Sequence, residues 1–330
     1  LGTFGGSRSC AYAINDSNQI VGRSDSGDWE ASPFVTSFDP SGAGNSVKLY
    51  TEGVGWSINE LGQVAGGCGR YHGSLFDITQ PGTQIDLGIL QEYTYSDAWS
   101  INNSGVIVGF AYNDWDYIER RAVLFTKSGW PNIDLGTLGG QHSWAFSIND
   151  VNQIVGGADD FNGYEFATIF DANGFGNNFN LGTVDGFDGS VASCINDKGQ
   201  IVGTVYNSMT GQNAAVMFSG TGSGNVNLNG TIAQPAGLYL ESTSCINDAG
   251  WIVGRGKNIT GQYRAFLLIP AVECTEALAG DLNDDCKVNL KDFAMMANDW
   301  GKIGFDFKNF ADIADNWLKC NLAPESACTQ

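Results

Sequence analysis

A nine-residue phrase that occurs six times limits what this chain can fold into more than any other feature. Its copies start at Ile14, Ile58, Ile101, Ile148, Ile195 and Ile246, and they are 43 to 51 residues apart. The starting Ile, the Asn after it and the closing Gly are present in all six, and the fifth position is always Gly or Asn. Because Gly and Asn tolerate a left-handed backbone best, the phrase predicts the tight turn of a β-hairpin.

Two further apolar segments complete each repeat and raise the predicted number of strands to four. A short apolar run follows the hairpin, as at residues 122–125 and 167–170, and a strand ending in Leu-Gly comes next, as at residues 133–136. Repeated four-stranded units of about 45 residues are typical of β-propellers. The sequence therefore predicts an all-β, six-bladed propeller over residues 1–272. A β-solenoid is the alternative, although its repeats are usually shorter.

The two ends of the repeat region predict how the ring closes. The sixth repeat runs to Pro270 without a Leu-Gly strand of its own, whereas residues 1–6 match residues 135–140 and precede the first hairpin. We expect residues 1–4 to pair with the last blade, which would close the ring and cover its sheet edges.

The hairpin phrase and the Leu-Gly strand resemble the HAF repeats of secreted bacterial proteins. The resemblance covers about residues 1–270, and it implies a secreted repeat propeller while saying almost nothing about activity. The triplet His-Ala-Phe, for which the repeat is named, is absent. Arg264-Ala265-Phe266 and Arg121-Ala122-Val123 stand in its place.

The pattern changes at residue 273, where a small C-terminal module of residues 273–330 begins. Its loop 281–292 has oxygen-bearing side chains at positions 1, 3, 5, 9 and 12, and position 7 can offer its backbone carbonyl. This is the ligand order of an EF-hand, whose calcium ion takes six or more oxygen ligands. We predict one calcium ion there, with an acidic surface turn as the alternative. The predicted ligands are Asp281, Asn283, Asp285, Lys287, Asn289 and Asp292.

Two similar segments of this module predict short α-helices that pack face to face. Each has apolar residues at the spacing i, i+3, i+4, i+7, which forms one stripe along a helix. The stripes are Phe293, Met296, Ala297 and Trp300 in the first segment and Phe310, Ile313, Ala314 and Trp317 in the second.

Residues 280–319 resemble a dockerin, the calcium-dependent module that secreted bacterial proteins insert into a cohesin partner. The resemblance implies partner-binding residues near the loop ends, where a dockerin is rich in hydroxyl groups. This chain has a more apolar set there: Leu290, Lys291, Phe307 and Lys308. The second loop departs from the dockerin pattern because Trp300 and Lys302 cannot act as ligands, so one ion rather than two is expected.

Eight cysteines in an acidic chain that looks secreted predict disulfides. Within the C-terminal module, the preferred pairing among three is Cys286 with Cys320 and Cys274 with Cys328. Cys194 and Cys245 occupy the same repeat position in neighbouring blades. They are interpreted either as a bridge or as two buried free thiols.

Charge and composition argue against several classes of partner. With 36 acidic and 16 basic residues the net charge is −20, which repels phosphate backbones and favours cations. No apolar stretch approaches the ~20 residues of a membrane-spanning helix. A chain that begins at Leu1 without Met fits a secreted protein whose signal peptide has been removed.

The sequence contains no familiar catalytic motif. Its two histidines, His72 and His142, are not part of a metal-binding pair, and no GxSxG, P-loop, GxGxxG or Cys-x-x-Cys occurs. We therefore predict a non-enzymatic extracellular structural protein. Its calcium-dependent plug would dock onto a protein partner, with a neighbouring copy of the chain favoured over a cohesin-like protein.

Two other functions remain open: a carbohydrate-binding or adhesion module displayed through the dockerin-like module, and a glycan-processing enzyme that uses a pair of carboxylates. The loops at residues 25–30, 113–117 and 159–164 place carboxylates beside aromatic residues. Such loops can bind sugars, calcium or a partner, or can be simple solvated turns. The repeated Asn of the hairpin phrase is interpreted as folding back on its own turn rather than as a functional ring.

Overall fold

The chain forms two compact units, Leu1–Leu268 and Ile269–Gln330. The structure is a computed structural model. It describes residues 2–26, 34–41, 45–68, 72–113, 119–126, 131–231, 237–270, 273–274, 279–282, 286, 288, 290–299, 307–316 and 322–323.

The first unit is a six-bladed β-propeller whose blades are antiparallel sheets with their strands in chain order. Blades 1 to 3 comprise β1 (Gly5–Ile14), β2 (Ile20–Ser26), β3 (Phe34–Phe38), β4 (Val47–Tyr50), β5 (Val54–Ile58), β6 (Gln63–Cys68), β7 (His72–Asp77), β8 (Ile85–Asp86), β9 (Tyr95–Ile101), β10 (Ile107–Tyr112), β11 (Arg120–Phe125) and β12 (Ile133–Asp134). Blades 4 to 6 comprise β13 (Gly139–Ile148), β14 (Ile154–Asp160), β15 (Glu165–Phe170), β16 (Phe179–Asn180), β17 (Gly189–Ile195), β18 (Ile201–Asn207), β19 (Gln212–Phe218), β20 (Val226–Asn227), β21 (Leu238–Ile246), β22 (Ile252–Asn258) and β23 (Tyr263–Leu268).

The hairpin turns confirm the left-handed residue that the repeated phrase predicts. The fifth position of the phrase has a φ angle between 59° and 80° in all six copies. The Asn of the phrase also folds back on its own turn, as expected. In blade 4, Asn149 Oδ1 accepts a hydrogen bond from the backbone N–H of Gln153 at 2.8 Å.

The closing glycine of the phrase allows the first two strands of each blade to approach closely. A Cβ atom at Gly156 would overlap the carbonyl oxygen of Trp144, and the equivalent glycine of every blade meets the equivalent carbonyl. Beside this contact the register shifts by one residue, between Ala145 and Ser147 in blade 4. Phe146 is therefore the extra residue of a β-bulge, and the same bulge occurs in all six blades.

The hydrophobic core lies between consecutive blades, where the apolar faces of two sheets meet. Between blades 4 and 5, Val155 and Leu181 pack with Ala192 and Ile201. Among the described residues, five clusters of this kind join blades 1 to 6 in order.

The sixth blade differs from the expectation, because its sheet has three strands within the part of the chain that the structure describes. In blades 3 and 4 the fourth strand is a residue pair that comes just before Leu-Gly, as at Ile133–Asp134. At the N-terminal segment, the N–H of Phe4 donates to Ser24 Oγ of blade 1 at 3.1 Å. The expected pairing with the last blade is not found for residues 2–4, and Leu1 lies outside the described residues.

The second unit contains two short helices, α1 (Leu290–Asp299) and α2 (Phe307–Asn316), and a strand pair formed by Glu273–Cys274 and Leu322–Ala323. Leu282, Val288 and Ile313 form its small core. A Cβ atom at Gly280 would lie 2.7 Å from backbone atoms of α2, so the calcium-type loop and this helix are in close contact. Phe293 of the predicted apolar stripe is exposed rather than buried.

Candidate functional site

The six hairpin turns surround a central cavity of about 470 Å³ at one end of the propeller. At each of five junctions, the side-chain amide of the phrase Asn donates to the backbone carbonyl of the Asn in the next blade. These bonds join Asn15 to Asn59, Asn59 to Asn102, Asn102 to Asn149, Asn149 to Asn196 and Asn196 to Asn247, at 2.9 to 3.1 Å. The Asn thus has a second role, between blades, that its local turn chemistry did not reveal.

The residue after this Asn forms a parallel series of hydrogen bonds between blades. Its backbone N–H donates to the side chain of the equivalent residue in the next blade. The first bond of the series joins Asp16 to Glu60 at 2.8 Å, and the last joins Asp197 to Asp248 at 2.9 Å. Among the described residues, both series end at blade 6 and neither joins it to blade 1.

The faces of blades 1 and 6 that would meet at a sixth junction are exposed. Ile14 is 61% exposed, whereas the equivalent isoleucine in each of the other five blades is at most 8% exposed. On blade 6, Val253 is 42% exposed although its five equivalents are fully buried, and Leu267 is 49% exposed. We call these two faces the open seam, defined by Ala11 and Ile14 on blade 1 and by Val253, Ala265 and Leu267 on blade 6.

The two faces of the open seam are complementary because every other junction is built from the same pair of faces. Ile246 of blade 6 is buried against blade 5, whereas the equivalent Ile14 of blade 1 is exposed. Asn15 of blade 1 is buried against blade 2, whereas the equivalent Asn247 of blade 6 is exposed. Each face of the seam is therefore built to pack against the other.

The bulged residues of the first four blades form an arc of aromatic rings. Tyr12, Trp56, Trp99 and Phe146 follow one another with ring centroids 4.6, 4.9 and 5.1 Å apart. Blades 5 and 6 have Ser193 and Ser244 at this position. These four aromatic residues can be seen in the sequence, two positions before the Ile of their phrase. Their contact with one another depends on the bulge, which brings the side chains together.

A carboxyl group of blade 3 is shielded from water next to blade 2. Burial raises the pKa of Asp97 to about 7. Its side chain lies against Gly67 of blade 2, where an added Cβ atom would collide with the carboxylate. The glycine therefore makes room for Asp97 between two blades.

The predicted calcium loop is described only in part. Asn283, Asp285, Lys287 and Asn289 lie outside the described residues. Asp281 Oδ2 accepts the N–H of Cys286 at 2.7 Å, and the fully buried Asp292 accepts the N–H of Leu282 at 2.8 Å. Cys286 has φ 64°, the left-handed conformation for which EF-hand loops use Gly at position 6. These features fit an EF-hand loop, and the calcium ion stays a prediction.

The predicted partner-binding residues lie at the first turns of the two helices. Leu290 begins α1 and is 71% exposed, and Lys291 follows it. Phe307 and Lys308 begin α2. Their role in docking stays a prediction.

Two of the predicted disulfide cysteines are joined in the propeller, where Cys194 and Cys245 bridge blades 5 and 6. Cys286 is also disulfide-bonded. Its predicted partner Cys320 lies outside the described residues, as does Cys328, the predicted partner of Cys274.

The loop at residues 159–164 is the one of the three aromatic and acidic loops that is fully described. Most of residues 25–30 and 113–117 lie outside the described residues. Asp159 and Tyr164 contribute to a cavity at the end of the propeller opposite the hairpin turns. The two histidines lie apart: His72 contacts Asp86 at 2.9 Å, and His142 is near Asp159 at 3.9 Å.

Comparison with known proteins gives structural likenesses but no family. No protein-family model matches the chain, and no curated protein sequence does either. A gluconolactonase of Xanthomonas campestris has a similar structure, with 12% sequence identity and a TM-score of 0.45 over 79% of this chain and 86% of that one. At this level the likeness carries no argument about activity. In the described part of the chain, no helix has the length and apolar character needed to span a membrane.

Proposed function

We propose that this chain is a structural protein that assembles from copies of itself, with the first blade of one copy packed on the sixth blade of the next. The open seam carries the proposal. It presents two apolar faces, around Ile14 and around Val253 and Leu267, that match the faces joined at five other junctions of the same propeller. Two copies can bury these faces against each other without any new kind of contact.

The contact joins two different faces, so it is heterologous. A heterologous contact continues from copy to copy and produces a filament unless the rotation between copies closes a ring. Burying an Ile, Val or Leu side chain contributes about 1.5 to 3 kcal/mol, so the three exposed aliphatic residues of the seam are a sizeable driving force. The hydrogen-bond series that ends at Asn247 and Asp248 would continue to Asn15 and Asp16 of the next copy.

The C-terminal unit adds a second, calcium-dependent contact to this proposal. Its exposed Leu290 and the first turns of its helices would dock onto a neighbouring copy, or onto a cohesin-like protein. The proposed location is outside the cell. The disulfides at Cys194, Cys245 and Cys286 support it, because disulfides persist in oxidising compartments.

The test measures particle size against protein concentration for the full chain, by sedimentation velocity and electron microscopy. The wild-type chain should form particles larger than a monomer. Ile14→Asp should shift the population to monomers, because it places a charge in the seam. Val151→Asp is the matched control: Val151 is as exposed as Ile14 but lies in the turn of blade 4, so assembly should persist.

A cysteine pair distinguishes assembly from closure of the ring within one chain. Asp16→Cys combined with Asp248→Cys places thiols at positions that are joined by a hydrogen bond at the other junctions. Oxidation should give a ladder of covalent oligomers on a denaturing gel. A chain that stays monomeric, with the pair closed internally, would show that blades 1 and 6 meet within one copy and would overturn the proposal.

A further inference from the structure

A second cavity, of about 760 Å³, opens at the end of the propeller opposite the hairpin turns. It lies over blades 4 and 5, where β13 and β15 begin and β14 and β18 end. We call it the blade 4–5 cavity, and the side chains that matter here are Arg120, His142, Trp144, Asp159, Tyr164, Glu165 and Tyr206. Its volume is that of a small-molecule site, which usually lies between about 300 and 1,000 Å³.

An aromatic wall forms one side of this cavity. Trp144 lies with its ring centroid 6.3 Å from that of Phe146, the last residue of the aromatic arc. The guanidinium carbon of Arg120 lies 5.3 Å from the Trp144 ring centroid. Trp144 is only 9% exposed beneath this cation, whereas Tyr164 lines the same cavity and is 53% exposed. Tyr164 is therefore the ring whose apolar face can pack against the C–H groups of a ligand.

Polar groups that can exchange hydrogen bonds with hydroxyls line the same cavity. The Tyr206 hydroxyl donates to Glu165 Oε2 at 3.3 Å, and His142 Nε2 lies 3.9 Å from Asp159 Oδ2. Burial raises the pKa of Glu165 to about 7, and it also raises the pKa of Asp159. Glu165 is therefore partly protonated at neutral pH, so it can donate as well as accept a hydrogen bond.

Two glycines make room for this arrangement. A Cβ atom at Gly157 would lie 2.9 Å from Trp144 Nε1 and 3.0 Å from Glu165 Oε1, so the glycine lets the indole and the carboxyl group lie side by side. A Cβ atom at Gly189 would collide with the ring of Tyr206. The aromatic and acidic groups can thus lie together because β14 and β17 have glycines, Gly157 and Gly189, at the points of contact.

From this combination we infer that the blade 4–5 cavity binds a neutral saccharide, with one sugar ring packed on Tyr164 and its hydroxyls bonded to Glu165, Asp159 and Tyr206. The ring faces of sugars are apolar and their edges carry hydroxyls, which matches an exposed aromatic ring beside acidic hydrogen-bond acceptors. Acidic sugars are excluded because the lining carboxyl groups outnumber its cations and the chain as a whole carries a net charge of −20. This inference does not depend on assembly through the open seam.

The test is calorimetric titration of the full chain with neutral gluco-, xylo-, manno- and N-acetylglucosamine oligosaccharides and with uronic-acid oligosaccharides of the same length. At least one neutral probe should bind, and the uronic acids should bind at least about tenfold more weakly. Tyr206→Phe removes one hydroxyl and should weaken binding about fivefold to tenfold while the fold is kept. Glu165→Gln should retain binding and Glu165→Ala should lose it, because the amide keeps both hydrogen-bonding roles.

Tyr164→Ala should abolish binding, and Tyr263→Ala is its matched control because Tyr263 is equally exposed, at 52%, but lies on blade 6. Circular dichroism establishes whether each variant is folded, and Tyr206→Phe keeps the test decisive if Tyr164→Ala does not fold. The inference is overturned if no neutral probe binds at millimolar concentration. It is equally overturned if binding is unchanged in both Tyr206→Phe and Glu165→Ala.

Discussion

The side-chain amide of Asn149 donates to the backbone carbonyl of Asn196, one blade further along the ring, at 3.0 Å. The equivalent residue of the last blade, Asn247, still caps its own turn by accepting the N–H of Trp251 at 2.8 Å, but its side chain is exposed. Within the described residues, this repeated Asn therefore has two roles in five blades and only the local role in the sixth.

This difference predicts unequal costs for the same substitution. Asn149→Ala should lower the free energy of unfolding by about 1 to 3 kcal/mol, because it leaves a buried carbonyl of blade 5 without its donor. Asn247→Ala should cost clearly less, about 0.5 to 1 kcal/mol, since only an exposed turn contact is lost. Denaturant unfolding followed by tryptophan fluorescence compares the two variants, and equal losses would contradict the blade-to-blade role.

The disulfide between Cys194 and Cys245 should stabilise the propeller mainly by joining blades 5 and 6. Replacing both cysteines with serine should lower the free energy of unfolding by about 2 to 4 kcal/mol. Serine is a fair substitute, because Ser147 Oγ accepts the N–H of Ile195 just as Cys194 Sγ accepts that of Ile246. Cys10→Ser, which removes a free thiol, is the control and should leave the melting temperature unchanged. A double variant as stable as the wild type would contradict this prediction.

Asp97 should make the propeller less stable as the pH rises from about 4 to 7. Its pKa in the folded chain is about 7, above the usual value, so across this window the folded state keeps a proton that the unfolded chain has released. The stability that this proton provides is fully present below the unfolded pKa and is lost as the pH passes through the folded one. Asp97→Asn should remove this part of the pH dependence and raise stability at pH 8 by about 1 to 3 kcal/mol. Urea unfolding at several pH values measures it, and an unchanged slope in Asp97→Asn would show that the carboxyl group is not responsible.

Calcium should bind the full chain at one site in the C-terminal unit, with the weak affinity of extracellular modules, about 10⁻⁴ to 10⁻³ M. Asp281→Ala should abolish the heat of binding in calorimetry, because it removes the first ligand of the loop. Asp315→Ala is the control, since Asp315 is exposed on α2 and is not one of the predicted ligands. Two equivalent sites, or no heat at millimolar calcium, would refute the prediction.

Several features of the candidate sites could be found from the sequence, and others could not. Asp281 and Asp292 are recognisable because the ligands of an EF-hand lie within one short loop, so their spacing along the chain reflects their arrangement in space. Asp159 and Tyr164 are recognisable as parts of a loop that combines acidic and aromatic residues. Trp144, Glu165 and Tyr206 lie on three different strands, and no local pattern indicates that they share a cavity.

The sequence alone determined the number of repeats, the hairpin turn of each blade and the left-handed residue at its fifth position. The turn and its left-handed residue depend on the backbone preferences of Gly and Asn, which act within a few residues. They can therefore be predicted from a single position such as Asn18 or Gly62. The bond between Asn149 and Asn196, the aromatic arc and the open seam appear only in the folded chain. Each of these depends on how neighbouring blades pack, and equivalent residues of neighbouring blades are more than 40 residues apart in the chain. Ile14 and Ile58 occupy the same position in the repeated phrase, yet Ile14 is exposed and Ile58 is buried.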